Sequence, residues 1–197
     1  DRPVPEEKNL DELVAHREEL LTAYQNSKWA ARYRRIVDRV RQAETSVAGT
    51  PGELTRAAAW NLAKLMSYKD EYEVARLFTD GVFQNQLKRT FSKTGKLRFY
   101  LAPPSLGESK DGRPRKRAFG PWTLLLFRAL ARMKFLRGTL LDPFKHHRDR
   151  REERMLIDQY EADLARVCTE LTAEKLPVAL MLARLPEEIR GYGPVKR

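Results

Sequence analysis

The sequence predicts a mainly α-helical protein: a helical bundle around a buried central helix near residues 121–137, with at most a short strand near 96–101. Three observations predict it. Apolar residues recur three and four positions apart along most of the chain, which is the spacing of one helix face. The 11 prolines and 10 glycines cluster at a few places and leave long runs between them. The stretch Phe119–Phe144 carries apolar residues on most faces of a helix, the pattern of an element covered on several sides.

Residues 1–9 are rich in proline and charge and read as a strand or loop leading in. From Leu10 the apolar positions Leu13, Val14, Leu20, Leu21 and Tyr24 share a face. Asn9 is placed to cap this helix, with Glu12 three residues later. Asn26-Ser27 breaks the pattern, and a second helix follows with Trp29, Tyr33, Ile36, Val37 and Val40. The two form an antiparallel hairpin over residues 1–48, thinly apolar, expected to protrude or to dock on something outside this chain. Gly49–Gly52 marks a boundary to a main helical domain over 49–197. Thr50 is expected to cap the next helix and Pro51 to occupy its first turn. That helix carries Leu54, Ala58, Leu62, Leu65, Met66, Tyr72, Ala75 and Phe78, with a stop or kink at Asp80-Gly81.

Residues 96–101 alternate polar and apolar, the one strand signal in the chain, without a convincing partner. Residues 103–118 form a loop of turn residues. The central helix opens at Gly120-Pro121 and stops at Gly138, where glycine accepts a left-handed backbone. Arg128, Arg132, Lys134 and Arg137 crowd its second half, where cations suit the helix dipole. A membrane span is the rival reading, but the apolar run falls short of the ~20 residues a span needs and is broken by arginine. A last long helix over 148–175, a break at Pro177 and a short helix to Leu185 complete the chain.

The chemistry of the side chains excludes several function classes. Cys168 is the single cysteine, so neither an internal disulfide nor a multi-cysteine metal cluster is available. Cys168 falls in an apolar stripe and reads as a small buried hydrophobe. His16 lies on a charged helix and reads as exposed. His146 and His147 are adjacent, so on a helix they point ~100° apart and cannot share a metal. No glycine-rich phosphate loop follows a strand. The net charge of +11 raises the weight of acidic or phosphorylated partners. Its focus is the loop with Lys110, Arg113, Arg115, Lys116 and Arg117, the candidate partner contact. Aromatic residues are not interleaved with these cations, which argues against a single-strand nucleic-acid platform. The chain opens with Asp1 and not methionine, as expected of a processed chain or a piece of a longer one.

Several motifs carry a resemblance. They are Leu101-Ala102-Pro103-Pro104, Phe119-Gly120-Pro121-Trp122, Leu136-Arg137-Gly138-Thr139, Leu141-Asp142-Pro143-Phe144, Arg150-Arg151-Glu152-Glu153-Arg154, and Leu185 to Gly193. In this order, with Leu62–Met66 and Tyr68–Leu77 before them, residues 50–197 resemble the C-terminal region of the long single-chain members of the 2-oxoacid:ferredoxin oxidoreductase family, the indolepyruvate ferredoxin oxidoreductases. Lys145-His146-His147 and Pro194 depart from that pattern. The resemblance implies a parent enzyme that decarboxylates an aryl 2-oxoacid oxidatively on thiamine diphosphate, forms an acyl-CoA and reduces ferredoxin through iron–sulfur clusters; the single cysteine fits the expectation of a reducing, cytoplasmic setting. The thiamine and cluster sites would lie upstream, so no catalytic, cofactor-binding or metal-binding residue is expected in this segment. Its implied role is accessory or in assembly, with the catalytic domains of the same polypeptide as partners and ferredoxin as an acidic candidate for the basic loop. The alternative is a free-standing basic helical module that binds an acidic protein or nucleic acid.

Overall fold

The computed structural model describes residues 9–90, 97–101 and 117–189. In chain order the elements are α1 (Leu10–Tyr24), α2 (Ser27–Ala48), α3 (Glu53–Met66), α4 (Glu71–Thr79), α5 (Val82–Thr90), β1 (Phe99–Leu101), β2 (Arg117–Phe119), α6 (Thr123–Arg132), α7 (Arg148–Glu170) and α8 (Leu176–Arg184). The mainly helical class is therefore as the periodicity predicts. The chain divides into two compact units. The first comprises Asp1–Tyr68 and Pro143–Lys196, the second Lys69–Asp142.

In the first unit the organising element is α3. Ten of its fourteen residues are buried, against α1, α2, α7 and α8. Ala57, Ala58, Ala59 and Ala63 are small enough to let neighbouring helices approach on several sides, while Leu54, Leu62 and Met66 fill the space between them. The α1–α2 hairpin belongs to this core and does not stand apart from it. Tyr33, Val37 and Val40 of α2 are fully buried, and Arg32 ties α2 to Asp158 and Glu161 of α7, each at 2.7 Å. The boundary expected at residue 48 separates two helices that pack on each other, because the residues on either side of Gly49–Gly52 share one core. Asn9 and Asn26 cap α1 and α2 through their side-chain oxygens, at 2.7 and 2.9 Å.

The N-terminus of α3 is built differently from the expectation. Thr50 does not cap it. Gly52 occupies the cap position without a side-chain bond. The orphan N–H groups are answered by Glu44 on the preceding helix, whose carboxylate accepts from Gly52 at 2.8 Å, Leu54 at 3.0 Å and Thr55 at 2.9 Å, and from the Thr55 hydroxyl. A side chain at position 52 would press on that carboxylate, since a Cβ there lies 3.2 Å from Glu44 Oε1. At the other end of α3 the expected long helix is interrupted. It stops at Met66, and α4 restarts behind Asp70, which caps it through Glu73 N–H at 2.8 Å.

The second unit holds α4, α5, α6 and an antiparallel pairing of β1 with β2, in the register Phe99↔Phe119 and Leu101↔Arg117. The predicted strand thus has its partner, supplied by residues that read as the end of a loop. Its core is small and aromatic: Ala75, Phe99 and Phe127 are buried, with Phe78 stacked on Phe127 at 5.4 Å and edge-on to Phe99 at 5.4 Å. The stretch predicted as the central buried helix lies here, and the prediction is corrected. The helix is shorter, Thr123–Arg132, followed by a tight 3-10 turn over Met133–Leu136. Its buried positions are Thr123 and Phe127, while Trp122, Leu125, Leu126 and Phe135 are exposed. A unit of this size has too few elements to surround an apolar helix.

The Glu44 cap gives a stability prediction with a sign. Burial alone would raise the Glu44 pKa, but the Thr55 hydroxyl and the N–H donors of Gly52, Thr55 and Leu54 outweigh it and hold the carboxyl below its ordinary 4.5. A depressed carboxyl stabilises the fold fully above its unfolded pKa and loses that contribution as the pH falls through the folded value. Glu44→Ala leaves buried donors unanswered and should cost about 2–4 kcal/mol in urea unfolding at pH 7. The loss of stability on acidification below 4.5 should also be shallower in the variant than in the parent. An unchanged urea midpoint would contradict the cap.

Candidate functional site

Of the cations picked from sequence, Lys110, Arg113, Arg115 and Lys116 lie outside the described residues. Arg117 is exposed on β2, opposite Leu101. The charge around it is not spread over the chain. Residues 69–142 hold 16 Lys and Arg against 7 Asp and Glu, whereas the first unit holds 21 against 20. Nearly all of the net positive charge is therefore in the second unit.

That unit also presents an apolar face. Trp122, Leu125, Leu126, Ala129 and Met133 follow one another at helical spacing on the outer side of α6, with Arg128 and Arg132 beside them. Phe135 in the 3-10 turn is exposed too, and the turn after Gly138 carries Leu140 and Leu141, 90% and 76% exposed. Isolated exposed leucines are ordinary on a protein surface, but a run of this length makes α6 a candidate contact surface. Covering six such side chains is worth on the order of 10 kcal/mol before the costs of association.

A buried polar network holds the face in place. Arg137, at the end of the 3-10 turn, donates to both carboxylate oxygens of Asp70, with Nη2–Oδ1 at 2.9 Å. Its guanidinium lies 5.5 Å from the centre of the Tyr72 ring. The Tyr72 hydroxyl donates to Asp142 Oδ1 at 3.0 Å, and Asp142 Oδ2 accepts the Gly138 N–H at 2.8 Å. Burial and then the Asp142 carboxylate push the Tyr72 hydroxyl far above its ordinary range, so it stays a donor at every physiological pH. Gly138 takes a left-handed φ of 76°, as its place in the sequence predicts. Asp70 therefore starts α4 and fastens the end of the α6 segment, and Asp142 closes the turn that carries Leu140 and Leu141. The apolar side chains are fixed outward.

The first unit has several concavities, one of about 400 Å³ between α2 and α7 beside Arg35, Arg39 and Glu161. A cleft of about 550 Å³ is lined by Glu53, Arg56, Trp60, Lys64, Arg184 and Glu187, among others. Its charges are already matched: Arg184 pairs with Glu53 at 3.0 Å, Lys64 donates to the Pro186 carbonyl at 2.7 Å, and Glu187 accepts from Asn61 at 3.3 Å. A groove of about 380 Å³ runs between α7 and α8, past Val167, Leu171, Val178 and Leu182. Cys168 packs half-buried against the core, and burial pushes its thiol up, away from the reactive thiolate. His16 is half-buried where exposure was expected. His147 lies 3.9 Å from Asp149. Among the described residues no three His, Cys, Asp or Glu side chains converge as metal ligands. No described helix is long and apolar enough to cross a membrane.

Against known families, residues 10–197 match the family of unknown function DUF6537. The chain belongs to this family. No curated protein and no solved structure matches it.

Sequence reasoning missed the apolar face because it counted hydrophobic residues as buried. A signal was available: the arginines interspersed at 128 and 132 fall on the same side of the helix as Leu125 and Met133. The anchoring network is open to test. Arg137→Ala leaves the Asp70 carboxylate buried without its partner and should cost about 3–5 kcal/mol. Arg137→Lys should restore little, because an ammonium cannot fork onto both oxygens. Asp70→Asn with Arg137→Met should be milder than either single charge removal, as read by thermal melting and by hydrogen exchange over residues 133–142. Equal exchange in the parent and Arg137→Ala would refute the anchoring role.

Proposed function

We propose that this chain is a non-catalytic accessory and assembly domain at the C-terminal end of an aryl 2-oxoacid (indolepyruvate):ferredoxin oxidoreductase. The parent enzyme decarboxylates its substrate oxidatively to an acyl-CoA on thiamine diphosphate and passes electrons through iron–sulfur clusters to ferredoxin. The family resemblance over residues 50–197 supplies the enzyme class. The observation that carries the role is the apolar face of α6, held outward by Arg137 and Asp142. A rigid surface of that kind suits permanent contact with another folded domain, here the catalytic portion of the same polypeptide. The positive excess of the second unit suits a transient acidic partner, and ferredoxin is the one this chemistry requires. Steering of that sort acts on the encounter rate and weakens with salt.

Two experiments on the full-length polypeptide test the two parts. The open reading frame should continue upstream into a thiamine-binding domain; a reading frame without one ends the proposal. In that enzyme Leu125→Asp with Leu126→Asp should release the domain to limited proteolysis while the circular dichroism of the chain is kept. Reversing Arg113, Arg115, Lys116 and Arg117 to glutamate should raise the KM for ferredoxin several-fold and leave the KM for the 2-oxoacid alone. Unchanged ferredoxin kinetics across salt concentrations would remove the electrostatic part and leave the assembly role standing.

A further inference from the structure

α2 carries five arginines, and the chain answers them unequally. Arg32 bonds Asp158 and Glu161 of α7, each at 2.7 Å. Arg34 Nε donates to both oxygens of Asp38 at 3.0 Å, and its Nη1 lies 3.5 Å from Glu18. Arg41 reaches Asp11 at 2.6 Å. Arg35 and Arg39 are exposed, and among the described residues neither makes a hydrogen bond or an ion pair. These two stand four residues apart, so they lie one above the other on the same face of the helix. Like charges at that spacing repel each other, and no described carboxylate of the first unit pairs with either. Both line the groove of about 400 Å³ between α2 and α7.

The groove limits what these cations receive. Ile36, Ala162 and Ala165 also line it. Alanines at i and i+3 let another backbone come close, at the short end of the 8–10 Å at which helices pack. Arg35, Arg39 and Ala162 are all exposed, so a small molecule in the groove would stay largely in water. Asp158 and Glu161, held by Arg32, stand against the same groove. Duplex DNA, with a charge every ~1.7 Å, would bring phosphates up against these two carboxylates. A helix with one carboxylate per turn instead meets Arg35 and Arg39 at their own spacing, and small residues between its acids can settle over Ala162 and Ala165. We propose that the groove between α2 and α7 docks an acidic helix of a partner protein, with carboxylates one turn apart received by Arg35 and Arg39. This assignment goes beyond the oxidoreductase reading and does not depend on it.

The probe is a fluorescein-labelled, alanine-rich peptide of about 20 residues with glutamate at every fourth position, long enough to be helical in water. It is titrated with the 197-residue chain and read by anisotropy. Saturable binding is expected, and it should weaken as salt is added. Arg35→Gln with Arg39→Gln should weaken it at least about tenfold while the melting temperature is kept, since both side chains are exposed. Lys88→Gln with Arg89→Gln on α5 removes the same charge from the more basic unit and should leave binding unchanged. In a Cys168→Ser background, Ala162→Cys should form a disulfide with a peptide carrying one central cysteine, and Thr90→Cys should not. No saturable binding, binding indifferent to the Arg35 and Arg39 changes, or trapping at 90 in place of 162 would each overturn the proposal. Equal affinity for a peptide broken by a central proline would overturn the helical occupant. A DNA duplex that binds more tightly than the peptide and is lost with the same two arginines would overturn the protein partner.

Discussion

The first unit depends on how a helix can be buried from its first turn onward. An α-helix begins with N–H groups that its own backbone cannot satisfy, and water normally answers them. α3 has no such access: Leu54 and Thr55 are already buried. Glu44 supplies the acceptors from another element, and this fixes more than one helix end. Because the carboxylate sits on α2, its position sets how α2 and α3 meet. The hairpin of α1 and α2 is thereby locked to the core, and the chain between α2 and α3 needs Gly49 in a left-handed turn, φ 81°, and no side chain at Gly52, where a Cβ would crowd the Glu44 carboxylate. With α3 so held, its alanines admit α7 and α8, and Asn61 reaches the end of α8.

The second unit solves a related problem with fewer elements. Asp70 has two tasks, capping α4 and pairing with Arg137. The second task requires the guanidinium to be buried, and a buried cation without its anion would cost several kcal/mol. The pair therefore acts as a register mark: the turn after α6 fits only where Arg137 meets Asp70. The aromatic cluster of Phe78, Phe99 and Phe127 gives the unit its cohesion but covers only one side of α6. The outward apolar face is thus a consequence of unit size.

Much of this was legible in the sequence. Helix starts at Asn9 and Asn26 could be seen because a local side chain does the capping. Stops at Gly49 and Gly138 could be seen because glycine is the residue that a left-handed backbone favours. What escaped was non-local. Glu44 reads as one charge among many on an amphipathic helix, and nothing nearby announces that it caps residues 52–55. The break at residues 67–70 escaped because Tyr68, Tyr72 and Ala75 continue the helical period across it. The pairing of β1 with β2 spans a long separation, with the second strand hidden in a basic stretch that reads as loop. For the site, composition gave the total charge but not its confinement to 69–142, because that range is a unit only in three dimensions.

Apolar periodicity says that a helix face will be covered, and it does not say by what. α6 and α8 look alike on that criterion: both carry exposed leucines at helical spacing. The surrounding charge separates them. A face within a strongly positive unit resists the approach of another positive surface. The first unit, with 21 basic residues against 20 acidic, sets no such sign preference around α8. Apolar area can supply free energy at either face, while charge narrows the choice of partner only at α6.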